Sequence, residues 1–263
     1  MTLLFLAVVA AAAAEPPYQP QQLALSRELT GVAIAPDGCG VAFTADITGA
    51  QEVWLAQSCS TGLPAWPDQL SSLGEQATEL AFSPDGKSLL FASDRGGDER
   101  RDLYLVPIDG GTAAQLTLTA ASETDPDADR GAAFSPDGKR LAFVADRSLP
   151  TASTGTLAAS SAAPSGFGFQ LHVMDLATRE SRVLTREPVS LRRPVWSPDG
   201  RSLAATRSPD GQRGDLLLVD AETGASRIVE SPGPGGILIA EEFLRDGSAV
   251  LCRARNAAGF LQV

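Results

Sequence analysis

One phrase recurs five times along the 263-residue chain, and this repeat limits the possible folds more than any other feature. Each copy centres on an Asp-Gly turn that follows an apolar residue and precedes an apolar strand; the copies are Ile34–Asp46, Phe82–Asp94, Phe134–Asp146, Trp196–Ser208 and, weakly, Phe243–Arg255. The turn glycines Gly38, Gly86, Gly138, Gly200 and Gly247 lie 48, 52, 62 and 47 residues apart. Known propeller blades repeat about every 40–50 residues, so the spacing indicates blades.

Turn chemistry explains the phrase. In Ser-Pro-Asp-Gly, proline presets φ at the second position, aspartate tolerates the third, and glycine accepts the positive φ needed to re-enter a strand. A second apolar strand follows each of the first four copies after a polar loop; these strands are Val53–Leu55, Leu103–Val106, Leu171–Met174 and Leu216–Val219. Short turns then introduce a further strand. Units of four strands cannot bury both faces alone, so we expect them to stack around a channel.

The sequence therefore predicts an all-β fold, a β-propeller of four-stranded blades with about five units visible. A β-sandwich is the alternative, but its strands would not repeat one turn phrase at blade-like intervals. The long third step is assigned to Ser148–Gly168, in which 18 of 21 residues are Ala, Ser, Thr, Gly or Pro, a composition typical of a flexible insertion. No turn and further strand follow Gly259–Val263, so the last blade is expected to be incomplete and the chain to be a fragment or a truncated product.

The amino terminus resembles an export signal. Residues Thr2–Ala14 form an uncharged apolar run, which is shorter than the roughly 20 residues that a membrane-spanning helix needs. No positive residue precedes the run, so a displaced start or a buried segment remains the alternative. The predicted organisation is a signal peptide at 1–14, a linker or first-strand region at 15–29 and a propeller at 30–263. This organisation predicts an exported protein, periplasmic or extracellular, without a membrane span.

The net charge of the chain limits the kinds of molecule that it can bind. The chain carries 32 acidic and 21 basic side chains and a net charge of -11. Such a charge repels phosphate backbones and anionic lipid surfaces, so a nucleic-acid partner is disfavoured. A peptide or protein ligand is expected instead.

The three cysteines leave an odd count for an exported chain. Cys39 and Cys59 flank a predicted hairpin, and if paired residue numbers sum to 98, Phe43 faces Leu55 and Cys39 faces Cys59. A cross-strand disulfide between these two cysteines is then geometrically possible. Two reduced thiols are an equal alternative, because a slip of two residues would separate them. Cys252 is predicted to be a small core residue.

The phrase FSPDGK followed by LAF and SDR or ADR, with DLYLVPIDGG downstream, resembles the TolB-like propeller repeat. The resemblance covers about residues 30–263; Ala35 and Cys39 depart from it in the first unit, and the fifth unit lacks the proline. Such repeats occur in periplasmic TolB and in the amino-terminal propellers of prolyl oligopeptidase family serine peptidases. The peptidase resemblance implies a non-catalytic module that gates or binds peptide substrates for a hydrolase domain in a longer parent. The alternative is a TolB-like protein interaction scaffold.

The search for chemistry yields no catalytic residue, cofactor or metal site. No G-x-S-x-G nucleophile motif occurs, and the single histidine, His172, lies between apolar residues, which favours a strand side chain over catalysis. The acidic stretch Glu123–Gly131 is the best metal candidate, but it departs from the EF-hand pattern and is expected to be a solvated loop. The mixed-charge run Asp94–Asp102 predicts a polar hairpin loop, with contact to a partner as the less favoured function.

Several further residues recur or stand out, and a structural role in a turn or in packing explains each of them. Asp46, Asp94 and Asp146 occupy one place in three units and are interpreted as turn-stabilising carboxylates. Aromatic side chains occupy a second repeated place and should pack between blades; they are Phe82, Phe134, Trp196 and Phe243. Trp54 and Trp66 are predicted to pack in the core or between blades, because a binding platform would need several exposed rings.

Overall fold

The computed structural model describes residues 28–57, 66–74, 76–94, 101–118, 129–145, 169–186, 189–255 and 261–262. These residues form five antiparallel sheets and no helix, which confirms the predicted all-β propeller. Nothing helical in these ranges has the length and apolar character needed to cross a bilayer. The predicted signal peptide and the insertion Ser148–Gly168 lie outside the described residues.

Each sheet is one blade, numbered here in chain order. Blade 1 contains β1 (Leu29–Ile34), β2 (Gly40–Ala45), β3 (Glu52–Gln57) and β4 (Asp68–Gln69), and blade 2 contains β5 (Ala77–Phe82), β6 (Ser88–Asp94), β7 (Arg101–Pro107) and β8 (Ala114–Gln115). Blade 3 contains β9 (Asp129–Phe134), β10 (Arg140–Ala145), β11 (Gln170–Asp175) and β12 (Ser181–Val183). Blade 4 contains β13 (Ser190–Trp196), β14 (Ser202–Ser208), β15 (Asp215–Asp220) and β16 (Ser226–Glu230). Blade 5 has three described strands, β17 (Ile237–Phe243), β18 (Val250–Arg255) and β19 (Leu261–Gln262).

The blades are arranged side by side about an axis. The first strands of successive blades contact each other in chain order, β1 to β5, β5 to β9, β9 to β13 and β13 to β17. Each sheet therefore places its first strand innermost and its last strand outermost. This radial order, and not the layered packing of a sandwich, places the ends of the first strands around a common channel.

The Ser-Pro-Asp-Gly turns close as their chemistry predicts. In blade 2, the Gly86 amide donates to the Ser83 carbonyl at 2.8 Å, and Gly86 has a φ of 70°. The Asp85 carboxylate accepts hydrogen bonds from the Ser83 hydroxyl at 2.6 Å and the Lys87 amide at 3.1 Å. The same hydroxyl accepts the Ser88 amide at 2.9 Å, so one side chain joins both strands of the hairpin. Blades 3 and 4 repeat this network.

The turn prolines also join one blade to the next. A Cβ built on the turn glycine would lie 3.5–3.8 Å from Cδ of the proline in the preceding blade; the pairs are Pro36 with Gly86, Pro84 with Gly138, Pro136 with Gly200 and Pro198 with Gly247. Nothing lies within 4 Å of such a Cβ at Gly38 in blade 1. The turns thus lie side by side at one end of the propeller, which is called the turn end below.

The aromatic residue before each turn packs against the preceding blade, as predicted. Phe82, Phe134 and Phe243 contact the clusters that contain strand residues of blades 1, 2 and 4. Trp196 is buried against blade 3, and its indole Nε1 donates to the Ala133 carbonyl at 3.0 Å. The Arg140 guanidinium lies 4.7 Å from the centre of the Trp196 ring, a cation–π contact across the same interface.

Two of the recurring aspartates accept hydrogen bonds from the residue that precedes the first strand of their own blade. Asp46 Oδ1 accepts the Glu28 amide at 2.9 Å, and Asp94 Oδ1 accepts the Gln76 amide at 3.0 Å. Each bond joins the end of a second strand to the residue before the first strand of the same blade. These contacts agree with a structural interpretation, and Asp146 lies outside the described residues.

Acid is expected to weaken the turns. A hydroxyl hydrogen bond and a backbone amide hydrogen bond hold the pKa of Asp85, Asp137 and Asp199 below the ordinary value of 3.8. A folded-state pKa below the unfolded value means that the stabilisation is present above pH 3.8 and is lost as the pH falls through the folded values. Urea unfolding from neutral pH to below pH 3.8 should show this loss.

The triple variant Asp85→Asn, Asp137→Asn and Asp199→Asn is the matched comparison, because asparagine keeps an acceptor oxygen but does not titrate in this range. Its unfolding free energy should be lower than that of the wild type at neutral pH and should change less below pH 3.8. If the unfolding free energies of the two proteins depended on pH in the same way, the stabilising role of these three aspartates would be contradicted.

The register predicted for the first hairpin is wrong by one residue. Phe43 pairs with Trp54 and Ala42 with Leu55, and not Phe43 with Leu55. An even number of residues separates the paired Ala45 and Glu52, and the Gly49 amide closes their turn on the Asp46 carbonyl at 3.0 Å. When an even number of residues lies between two paired residues, the numbers of the paired residues add up to an odd total. The predicted pairing required an even total of 98, so it did not fit this loop.

The predicted disulfide remains a prediction. Cys39 is disulfide-bonded and Cys252 is a free thiol, but Cys59 lies outside the described residues. Cys252 packs partly buried against the core of blades 4 and 5, in agreement with its predicted role, and burial together with the Glu241 charge raises the pKa of its thiol.

Thiol alkylation tests the Cys39–Cys59 pairing. In protein purified under oxidising conditions and unfolded without reductant, only Cys252 is expected to react with iodoacetamide, and all three cysteines should react after reduction. Peptide mapping of the unreduced protein should recover Cys39 and Cys59 in one cross-linked species. Alkylation of Cys59 before reduction would exclude the pairing.

Of the two tryptophans expected to pack, only one does so. Trp54 is buried and its Nε1 donates to the Ala45 carbonyl at 3.2 Å. Trp66 is 75% exposed, so the packing predicted for it is wrong. It precedes the short strand β4, which is the outermost strand of blade 1 among the described residues.

Candidate functional site

The innermost strands of blades 2, 3 and 4 are interrupted by β-bulges. The register of the ladder shifts within β5, β9 and β13, and each bulge contains a residue in the left-handed region: Glu79 with a φ of 56°, Gly131 with 62° and Arg193 with 50°. Non-glycine residues rarely adopt this conformation, and backbone strain of this type often accompanies binding sites. A bulge also leaves one residue out of the ladder, so backbone groups turn toward the axis.

The bulges surround a cavity on the axis, called the axial cavity. Its volume is about 410 Å³, and its lining residues come from the bulged strands; they are Glu79, Leu80, Gly131, Ala132, Ala133, Arg193, Pro194 and Val195. The Gly131 amide donates to Glu79 Oε2 at 2.6 Å, which links blades 2 and 3. A Cβ at Gly131 would lie 3.1 Å from the Arg193 amide nitrogen, so glycine permits blades 3 and 4 to approach closely here.

A second cavity of about 630 Å³ lies between blades 4 and 5, away from the turn end. Five arginines line it and define what is called the arginine pocket: Arg192, Arg193, Arg213, Arg253 and Arg255. Ile237 and Ile239 supply apolar lining. Arg193 lines both cavities, so the arginine pocket and the axial cavity adjoin at this residue and together form the candidate site.

Local turn chemistry places Arg213 in this pocket. Ser208–Gly211 is a further Ser-Pro-Asp-Gly tetrapeptide, which falls outside the blade period and closes the loop between β14 and β15. Asp210 Oδ1 accepts the Gln212 amide at 2.9 Å and the Arg213 amide at 2.7 Å. These backbone bonds lower the pKa of Asp210 and fix the backbone from which the Arg213 side chain extends. This tetrapeptide was visible in the sequence and could have indicated the position of Arg213, but it was not interpreted because it falls outside the blade period.

A backbone bridge joins blades 4 and 5 beside the pocket. The Gly214 amide donates to the Gly236 carbonyl at 3.0 Å, and the Leu238 amide donates to the Gly214 carbonyl at 2.8 Å. A Cβ at Gly214 would lie 2.6 Å from Cγ2 of Ile237, so only glycine permits this approach. The bridge therefore sets the distance between the arginines of blade 4 and those of blade 5.

Two carboxylates partly neutralise the pocket. Glu241 lies 3.0 Å from Arg193 Nη2 and 3.0 Å from Arg253 Nη2, bridging the two blades. Asp215 is 1% exposed and lies 3.3 Å from both Arg207 Nη1 and Arg213 Nε. These are the ion pairs that the described residues give the pocket, and guanidinium groups outnumber carboxylates. The pocket is therefore a cationic site in a protein whose net charge is -11.

Asp215 also belongs to a second repeated network, which the sequence analysis missed. A residue with an acid or amide side chain lies at the first or second position of the third strand in each of the first four blades and accepts a hydroxyl hydrogen bond from a residue one or two positions after the fourth strand; the pairs are Glu52 with Ser71, Asp102 with Thr117, Gln170 with Thr185 and Asp215 with Ser231. In blades 1 to 3 the hydroxyl in turn accepts a backbone amide of the third strand. The available signal was a polar residue directly before each apolar run.

His172 does not line this site. His172 is fully buried in blade 3 and stacks on Phe143 with ring centres 5.3 Å apart. In blades 1 and 2 the cross-strand partners are Phe43 with Trp54 and Phe91 with Tyr104, so His172 occupies an aromatic packing position. Residues 123–128 and 95–100 lie outside the described residues, and the described ones contain no cluster of three His, Cys, Asp or Glu that could hold a metal.

Comparisons with known proteins agree with this fold. No family model matches the chain. It is 30% identical over 107 residues to YuxL, an uncharacterized peptidase of Bacillus subtilis, and this match spans 41% of the chain but 13% of the relative. A solved structure assigned as TolB from Agrobacterium tumefaciens has a TM-score of 0.64 and 19% identity, covering 89% of this chain and 72% of that one. A prolyl endopeptidase structure has a TM-score of 0.58 and 13% identity, covering 89% and 35%. The chain thus has a propeller resembling those of TolB and of prolyl peptidases.

Proposed function

We propose that the chain is a non-catalytic, ligand-binding β-propeller module that gates or positions extended peptides for a prolyl-oligopeptidase-like hydrolase domain outside this chain. The proposal places the exported module in the periplasm or outside the cell. The observation that carries the proposal is the pair of adjoining cavities, the axial cavity and the arginine pocket, which share Arg193. Function in propellers depends on such sites and not on the fold, which hosts many activities.

The site suits an extended chain for steric and chemical reasons. The bulges at Glu79 and Arg193 interrupt the ladder at the axis, where a peptide backbone needs donors and acceptors. The two cavities measure about 410 and 630 Å³, which accommodates a few residues of peptide but not a folded domain. The partial match to YuxL, which is named as a peptidase, also supports this proposal.

A TolB-like protein interaction scaffold is the second candidate. The Agrobacterium structure supports it, because the present chain covers 72% of that protein. The two functions differ in the state of the ligand, since a gate admits unfolded chains and a scaffold binds the surface of a folded protein.

Binding of one protein in two states separates the candidates. Labelled α-lactalbumin, either native or reduced and carboxamidomethylated, would be titrated with the purified chain in fluorescence anisotropy. We expect the unfolded form to bind at least tenfold more tightly than the native form, and neither form to be hydrolysed. Equal binding, or tighter binding of the native form, would contradict the gating function.

Two arginine variants localise the binding. Arg193→Ala removes the side chain shared by both cavities and should weaken binding of the unfolded protein about tenfold, or roughly 1.4 kcal/mol. Arg227→Ala is the matched control, because Arg227 is an exposed residue on the outer strand of the same blade. Equal losses in the two variants would show that binding occurs outside the axial site.

A further inference from the structure

The arginine pocket has a property that binding an arbitrary peptide does not require, namely a local excess of positive charge. We propose that this pocket recognises the carboxylate groups of acidic peptides. The inference rests on the proposed function and names the class of ligand. It concerns charge selectivity, which the axial cavity alone does not provide.

The pocket contains cations that the fold does not use. Arg192 and Arg255 are exposed, and neither guanidinium group has a hydrogen-bond or ion-pair partner among the described residues. Arg193 and Arg253 share the single carboxylate of Glu241. Exposed guanidinium groups need no partner for the fold, but five of them converging on one concave pocket form a surplus of donors suited to an acceptor that binds from outside.

Guanidinium groups fit carboxylates especially well. Each is planar and presents a fork of N–H donors that matches the two oxygens of a carboxylate, giving paired charge-assisted hydrogen bonds. The concave wall formed with Ile237 and Ile239 reduces solvent screening and strengthens these bonds. Because the whole chain carries a net charge of -11, the pocket attracts anions against a background that is repulsive on average.

A peptide fits the lining better than the other common polyanions. The pocket lining contains no aromatic ring, whereas sugar sites usually present rings for stacking. Nucleic acids need a broad basic surface, which a net charge of -11 opposes. The bulged backbone at Arg193, adjoining the pocket, supplies the main-chain groups that a peptide would bond.

Two matched peptides test the selectivity. Both are ten-residue fluorescein-labelled peptides with amidated carboxyl ends, identical except for glutamate or glutamine at three positions. We expect the wild-type chain to bind the glutamate peptide at least tenfold more tightly at low salt, with the difference shrinking as salt rises. The double variant Arg192→Gln and Arg255→Gln should reduce this preference at least threefold, because its loss of affinity for the glutamate peptide should exceed its loss for the glutamine peptide.

The control variant Arg227→Gln and Arg245→Gln removes the same net charge from exposed positions outside the pocket and should retain the preference. Equal loss in both double variants would overturn the assignment of the pocket, since it would reflect long-range charge. Equal affinity of the wild type for both peptides would overturn the selectivity alone and leave peptide binding intact. Failure to bind either peptide or unfolded α-lactalbumin would overturn the proposed function too, and binding of polygalacturonate without the glutamate peptide would assign the pocket to acidic sugars.

Discussion

Replacing Asp215 with alanine is expected to lower the free energy of unfolding by about 3 kcal/mol, because the change removes one partner of a buried ionic network. The Asp215 carboxylate is almost fully buried and contacts Arg207 and Arg213, and it accepts the Ser231 hydroxyl at 2.6 Å. After the substitution, two guanidinium groups and a hydroxyl lose their common acceptor. Urea unfolding at neutral pH measures the loss directly.

Two further variants separate burial from charge. Asp215→Asn keeps the size and one acceptor oxygen, so its loss should lie between those of the wild type and Asp215→Ala. Asp220→Ala removes an exposed carboxylate that caps the next turn through the amides of Glu222 and Thr223, and its effect should be much smaller than that of Asp215→Ala. Equal losses for Asp215→Ala and Asp220→Ala would refute the role of the buried network.

Substitution of Gly224 by alanine is expected to lower the free energy of unfolding by about 3 kcal/mol, which combines two costs. Its φ of 74° costs an alanine about 1–2 kcal/mol. A Cβ there would also overlap the Leu184 carbonyl oxygen of blade 3, and such overpacking costs about 1–3 kcal/mol. The contacting atom belongs to the backbone, so only a shift of one blade against the other relieves the clash.

Gly38→Ala isolates the first cost. Gly38 has the same φ of 74°, but nothing lies within 4 Å of a Cβ at that position. The alanine there should cost only the conformational strain, about 1–2 kcal/mol. The difference between the two variants in chemical unfolding measures the packing of blade 4 on blade 3. Equal losses would mean that this inter-blade contact is easily relieved.

The blade repeat was predictable because local chemistry encodes it. The turn at Ser83–Gly86 depends on residues within a few positions of one another, and proline, aspartate and glycine have strong backbone preferences. The alternation of the aromatic residue, the turn and the apolar strand then marks each blade. For the same reason Phe82, Phe134, Trp196 and Phe243 could be assigned to the interfaces between blades.

Features that depend on strand register were less predictable. The first hairpin shifted by one residue because its loop length was misjudged, and a shift of one residue moves every side chain to the opposite face of the predicted pair. Trp66 is exposed beside β4, the outer edge strand of blade 1 in the described part of the chain, and no local pattern indicates which strand lies at the edge of a blade.

Local sequence was sufficient to establish the turns, the strands and the radial repeat, because each depends on contacts between neighbours along the chain. The candidate site was decided by tertiary structure alone. Its arginines come from β13 and the β14–β15 loop in blade 4 and from β18 in blade 5, and the close approach at Gly214 brings them together. Charges far apart in the chain acquire a common field only when packing places them around one cavity.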